Sequence, residues 1–210
     1  MLRDIRKQYE TAELTEQNAE KSAIEQFSKW LTDALNSSEP EPTAMVISTV
    51  DTQLQPHSRV VLLKDFSPEG MVFFSNYNSH KGQQISYNNR IAALFFWETL
   101  ERQVRITGRA EKTDSKTSDE YFNSRPKDSR IGAAVSAQSS VIPGKAFLEE
   151  AFNALKESAG DKITRPEHWG GYRIIPDTFE FWQGRPNRLH DRLFYTKTEN
   201  GEWKTERLSP

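Results

Sequence analysis

The chain is 210 residues long, enough for one large domain with its own core, and carries a net charge of −2 with a pI of about 6.1, which argues against a generally basic nucleic-acid binder while leaving a local basic pocket open. There is no cysteine, so disulfides, thiolate nucleophiles and cysteine-ligated zinc or iron–sulfur sites are excluded. No long apolar run occurs and the N-terminus is charged, so neither a secretory signal nor a membrane span is expected, and the cytoplasm is the expected compartment.

Residues 1 to about 19 are polar and of mixed charge and are expected to form a mobile arm, with residues 20–210 as a single domain. Ala23, Ile24, Phe27, Trp30, Leu31, Ala34 and Leu35 recur at helical spacing, and Ser37-Ser-Glu-Pro ends that helix. The period then changes to that of strands. Ala44–Val50 and Ser58–Lys64 form a hairpin about a turn at Asp51–Gln55, followed by strands at Gly70–Asn76, Ile91–Trp97 and Gln103–Glu111. A short helix from Lys81 to about Tyr87 interrupts them, with Ser79 as its cap. Further helices are expected at Ser115–Phe122, Pro126–Val135 and Lys145–Ala159, the last with Phe147, Leu148, Ala151, Phe152 and Leu155 inward. Strands at Tyr172–Ile175, Thr178–Gln183, Arg188–Tyr195 and Trp203–Arg207 close the chain. Short antiparallel strands with peripheral helices predict an α+β barrel and not a doubly wound sheet.

Cations and hydroxyls are spaced along these elements. If Arg188 onward is extended, Arg188, His190 and Arg192 share one face, suited to an anionic planar ligand or to a solvated edge strand. Ser79-His80-Lys81 at a helix start suits a phosphate or a simple cap. Tyr121, Arg125 and Ser129 recur every four residues, as a second phosphate site or a wet helix face. Arg59 and Lys64 bracket an apolar strand, while Gln103 and Gln138-Ser139 offer amides and a hydroxyl. Dinucleotide and Walker glycine motifs, a nucleophile elbow and metal-type histidine spacing are all missing from the sequence.

The order of these segments resembles the pyridoxine/pyridoxamine 5'-phosphate oxidases, a flavin family with a split-barrel fold. The resemblance rests on Arg59-Val-Val-Leu-Leu-Lys64, Leu100-Glu-Arg-Gln-Val104, Tyr121-Phe-x-Ser-Arg-Pro-x-Asp-Ser129, Gln138-Ser-Ser140, Trp169-Gly-Gly171, Phe179-Glu-Phe-Trp-Gln-Gly184 and Arg188-Leu-His-Asp-Arg192, and spans nearly the whole chain. It implies FMN at the interface of a homodimer. The flavin would contact Arg59, Val60, Val61, Leu62, Leu63, Lys64, Phe74, Ser75, His80, Lys81, Gln103, Gln138, Ser139, Trp182 and Arg192. Lys64, Tyr121, Arg125 and Ser129 would clamp the substrate phosphate. Arg188 and His190 would be catalytic, holding the pyridine ring and its reacting substituent, under a lid carrying Arg6 and Tyr9. The implied reaction oxidises the 4' carbon of pyridoxamine or pyridoxine 5'-phosphate to the aldehyde, with hydride passing to FMN and O2 reduced to H2O2. The rivals are a split-barrel reductase for another heterocycle and a non-catalytic binder of flavin or pyridoxal phosphate. Three positions depart from the family pattern. His80 replaces an arginine, which weakens the flavin-phosphate site; Phe74 replaces a tyrosine, losing a hydroxyl; and Glu41 replaces an aspartate.

Overall fold

The computed structural model describes residues 2–4, 8–160 and 163–210, so Arg6 lies outside the described residues. Helix α1 (Ala23–Leu35) starts where the Ser22 hydroxyl accepts a hydrogen bond from the Ile24 amide, and its apolar stripe buries Phe27, Trp30 and Ala34. Phe27 is the centre of the core: its ring lies 4.7 Å from Phe66, 5.2 Å from Phe95 and 6.1 Å from Phe179. A chain whose hydrophobic fraction is only 35% compensates with large rings, each burying about 150–250 Å².

Around α1 curls one antiparallel sheet. Its strands are β1 (Ala44–Val50), β2 (Pro56–Leu62), β3 (Asp65–Ser67), β4 (Gly70–Asn76), β5 (Arg90–Trp97), β6 (Arg102–Lys112), β7 (Trp169–Gln183), β8 (Asp191–Lys197) and β9 (Trp203–Arg207). They pair in the order β2-β1-β5-β6-β7-β4-β3, with β8 on β7 and β9 on β8. The long strand β7 is the seam. Residues 169–174 of it pair with β4 and residues 178–183 with β8, while β6 runs along the other side. The change of partner occurs at a bulge, where Thr107 faces Thr178 but Gly108 faces Pro176. Gly108 is required there, because a Cβ would sit 2.1 Å from the Ile175 carbonyl oxygen. A sheet that changes partners at a bulge opens instead of closing, giving the expected split barrel.

The remaining helices lie outside the barrel: α2 (His80–Tyr87), α3 (Ser115–Ser124), α4 (Lys127–Val135) and α5 (Lys145–Ser158). Phe122, Ile131, Ile163 and Trp169 form a second small core under α3 and α4. Several expectations are corrected. Tyr172–Ile175 and Thr178–Gln183 are one strand, because the bulge absorbs Pro176 without ending the ladder. The hairpin's second strand is shifted to Pro56–Leu62, and β3 carries no sequence signal. Helix α5 has no fully buried residue and leaves Phe147 54% exposed, so its apolar stripe covers a small cluster instead of entering a core. Finally, β8 begins at Asp191, not Arg188: Asn187 and Arg188 have φ of 57° and 62°, a turn that strand propensity does not anticipate.

Candidate functional site

A cavity of about 500 Å³ opens where β2, β4 and α2 meet α3 and α4. β2 and the residues just after it bring Val60, Val61, Leu62 and Lys64, and β4 brings Phe74, Ser75 and Asn76. The helices add Lys81, Tyr121, Arg125 and Ser129, while Gln138 and Trp169 complete the rim. Among the described residues no aspartate or glutamate lines it.

Lys81 occupies the floor and is buried. The first turn of α2 carries it there, and the Ser79 side chain caps that turn by accepting from the Gly82 amide. Its Nζ donates to Ser75 Oγ at 3.0 Å, Gln138 Oε1 at 3.0 Å and Ser79 Oγ at 3.3 Å, all neutral acceptors. Burial pushes the ammonium pKa down, and the charge of Arg59 adds to the effect. Arg59 lies behind the wall, donating to Thr49 Oγ1 at 2.6 Å and Gln84 Oε1 at 3.0 Å, again without a carboxylate, and burial lowers its pKa too. Two cations held close on neutral oxygens repel one another, which an entering anion relieves.

The opposite wall is aromatic. The rings of Phe74 and Tyr121 stack at 3.8 Å and 15°, and Trp169 lies parallel to Tyr121 within 3° at 6.2 Å. Arg125, at the end of α3 before Pro126, lays its guanidinium 4.7 Å over Trp169. Its Nη1 is buried with no hydrogen-bond partner among the described residues, and burial lowers its pKa against the opposing pull of Tyr121. A buried guanidinium nitrogen without a described partner, beside a cavity lined by no described carboxylate, is a ready anion site.

A second group of expected residues assembles elsewhere, at the end of β7 and start of β8. The Trp182 and His190 rings are 4.6 Å apart, and Tyr9 packs on them at 5.7 and 5.9 Å. Gly184 makes room for Tyr9: a Cβ there would lie 2.7 Å from the tyrosine Cβ. Residues of the arm are docked along this end, with Glu10 and Thr11 amides donating to Glu101 Oε2 and the Leu14 amide donating to Asp191 Oδ2. Arg185 Nη1 donates to the Ala12 carbonyl, and Arg207 pairs with Glu16 at 2.7 Å. Burial, then the charge of Arg188, push the His190 pKa down, against Asp191. Arg188 is exposed.

Other expected contacts are scattered. Leu63 points into the core at 5% exposure. His80 is exposed on the far side of α2, in a separate pocket with Asp51 and His57. Gln103 lies on the outer face of β6 beside Val46, Leu94 and Arg105. Ser139 follows Gln138 in an exposed turn at φ 73°, off the cavity wall. Arg192 is bound by the buried Glu180, which accepts from Arg192 Nε at 2.8 Å and from Arg105 Nη1 at 2.8 Å. Arg188 and His190 are not on a strand, so the shared strand face with Arg192 does not form. Sequence reading gave no role to Asn76, whose amide donates to the Ser136 carbonyl on the cavity rim, nor to Trp169, although Trp169-Gly-Gly171 was among the matching segments. Glu180 was likewise missed; a charge inside an otherwise aromatic strand was its only signal. Among the described residues no helix is long and apolar enough to cross a membrane, and no group of three or more histidines or acids could hold a metal.

Comparison with known proteins falls in line with this geometry. Residues 31–158 match the family described as pyridoxamine 5'-phosphate oxidase, and residues 169–210 match the pyridoxine 5'-phosphate oxidase C-terminal dimerisation region. The chain is 49% identical over 207 residues to a pyridoxine/pyridoxamine 5'-phosphate oxidase of Bordetella petrii, covering 99% of this chain and 98% of that one. It is 50% identical over 209 residues to the protein of the same name from Neisseria meningitidis serogroup B, covering 100% and 99%. Among solved structures it is similar to PhzG of Burkholderia lata 383, in complex with tetrahydrophenazine-1-carboxylic acid, with a TM-score of 0.89 and 26% identity over 94% of this chain and 98% of that one. A pyridoxamine 5'-phosphate oxidase-related, FMN binding protein of Nostoc punctiforme shares the fold at a TM-score of 0.75 and 14% identity, over 90% and 98%. Full-length identity near one half, joined to a matching fold and an anion-seeking cavity, makes this chain a member of the pyridoxamine 5'-phosphate oxidase family.

Proposed function

We propose that the protein oxidises pyridoxamine and pyridoxine 5'-phosphate to pyridoxal 5'-phosphate as an FMN-dependent homodimer, each chain contributing two different half-sites. The observation that carries this is the cavity between β2, β4, α2, α3 and α4, which gathers Lys64, Lys81 and Arg125 with hydroxyls and amides and, among the described residues, no carboxylate. Such a lining suits two phosphates. The residues fit the cofactor: Lys81 is buried on neutral oxygens only, so Ser75, Lys81 and Gln138, with Arg59 behind them, would hold the FMN phosphate. Tyr121, Arg125, Ser129 and Lys64 would hold the phosphate of the substrate, since Arg125 Nη1 is buried without a partner among the described residues.

Bound there, FMN would supply the hydride acceptor and pass the electron pair to O2 as H2O2. The 4' carbon loses a hydride and its substituent loses a proton, leaving an aldehyde from the alcohol or an imine from the amine; water then releases ammonia from the imine. The chain's own residues bind and orient. Clamping the phosphate far from the reacting carbon supplies orientation without touching the bond that breaks. Arg188 is permanently charged and fixes the substrate ring, and His190 addresses the reacting substituent. Trp182, Arg188, His190, Arg192 and Gln103 do not line the cavity of their own chain. They would complete the cavity of the partner subunit, which the match of residues 169–210 to a dimerisation region supports.

The test is whether the purified protein is yellow and releases peroxide with O2 when given pyridoxamine 5'-phosphate. Bound flavin without oxygen uptake would point to a non-catalytic binder. The similarity to PhzG favours a second reading, in which the same cations receive the carboxylate of a reduced tricycle. Parallel assays with tetrahydrophenazine-1-carboxylic acid decide between them by kcat/KM.

A further inference from the structure

Resting on the oxidase reading above, we propose that His190 is locked as a neutral imidazole with its proton on Nε2, and that it serves the substrate as a hydrogen-bond donor and not as a proton acceptor. The lock is made by the turn between β7 and β8. Asn187 and Arg188 are both left-handed, at φ 57° and 62°, and the Leu189 amide donates to the Pro186 carbonyl at 3.1 Å. This tight reversal brings the Arg185 backbone N–H back to His190, 3.1 Å from Nδ1. A backbone N–H can only donate, so Nδ1 must present its lone pair, and the single proton of the neutral ring falls on Nε2. The ring cannot readily swing away, because Trp182 lies 4.6 Å from it and Tyr9 5.9 Å. Nε2 itself has no hydrogen-bond partner among the described residues, which leaves its proton free for a ligand.

The same contact disfavours the imidazolium, since a protonated Nδ1 would oppose the Arg185 N–H donor to donor. Burial and the charge of Arg188 act in the same direction; Asp191 opposes them, itself held by the Leu14 amide, Arg185 and Arg207. A neutral Nε2–H can donate to an oxygen or nitrogen lone pair on the substituent being oxidised. It cannot accept the proton that this substituent releases, which must leave to water or another group.

Two substitutions separate this role from a structural one. Glutamine places an amide N–H near the position of Nε2, while asparagine places its acceptor near Nδ1. His190→Gln is expected to keep kcat/KM for pyridoxamine 5'-phosphate within about tenfold, and His190→Asn to lose about a hundredfold or more. The reverse order, with asparagine rescuing and glutamine not, would overturn the donor role and make the ring a strut for the turn. Independently of turnover, long-range proton–nitrogen correlation on histidine-labelled holoenzyme, above the ordinary imidazole range, should show Nδ1 of His190 bare and Nε2 protonated. A proton on Nδ1 overturns the lock even in an active enzyme. Absence of turnover in the wild type, with the nitrogen signature as expected, would instead count against the substrate assignment.

Discussion

Lys81 and Gln138 meet across the floor of the cavity, with Nζ donating to Oε1 at 3.0 Å, so the buried cation is tied to the loop after α4 by a neutral oxygen. A cation so placed has lost water without gaining a counter-charge, and a dianionic phosphate would supply one. Lys81→Met should therefore weaken flavin retention first. Hydrogen bonds from charged groups are worth about 1.5–3 kcal/mol, which corresponds to about a 10- to 150-fold rise in the FMN dissociation constant. Recovery of flavin fluorescence on dilution measures it. An unchanged dissociation constant with lost turnover would place Lys81 on the substrate instead.

Arg125 should behave differently. Its guanidinium carbon lies 4.7 Å over the Trp169 ring, with Nη1 lacking a partner among the described residues, and a lysine lacks the planar fork that this placement presents. Arg125→Lys is expected to raise KM for the phosphorylated substrate by about 10- to 100-fold with FMN retained and kcat changed less than KM, because the lysine keeps the charge that holds the phosphate while losing the two-pronged fit. Steady-state kinetics beside the flavin content checks this; a fall in kcat alone would contradict it.

Arg188 sits at φ 62°, where a side chain costs about 1–2 kcal/mol and glycine is free of that cost. Arg188→Ala and Arg188→Gly both remove the guanidinium and should both abolish efficient turnover with FMN still bound. The glycine variant should be the more stable of the two by about 0.5–1 kcal/mol, its gain partly offset by unfolded-chain entropy. Thermal unfolding of the pair reads this as a difference of about 1–4 °C. Equal stability would mean the turn relaxes without the arginine.

Arg207 holds the arm through Glu16, whose carboxyl is pushed down from 4.5 to about 2, chiefly by that hydrogen bond. A lowered carboxylate pKa gives stability that is present above 4.5 and lost as the pH falls through about 2. Glu16 is exposed, so the pair is worth little, and its release should lower amide-exchange protection at Leu14 only about two- to fivefold. Glu16→Gln should show that loss at neutral pH and remove this step from the acid titration. Exchange at the Leu14 amide, which donates to Asp191, reports it.

Much of the fold was legible because its signals are local. The stripe from Ala23 to Leu35, the cap at Ser79 and the alternation in β6 need only neighbouring residues to be read, and the structure has them within a residue or two. Where long-range pairing decides, the local signal failed. β7 runs through Pro176 because its own bulge at Asp177 shifts the register and lets Pro176 pair with Gly108 of β6, and β8 starts late because the turn at Asn187 and Arg188 brings the chain back toward Arg185.

The site divides the same way. The sequence by itself determined which residue types are available: cations, hydroxyls and amides, no thiol, and an order of motifs shared with one flavin family. Only the tertiary structure decided which of them meet. It drew Lys64, Lys81 and Arg125 into one cavity and placed Trp182 and His190 in another cluster. It also turned Leu63 into the core and bound Arg192 to Glu180. The reason is that the period of a strand fixes which side a residue leaves from, whereas the curl of the sheet and the choice of partner strand fix what lies on that side.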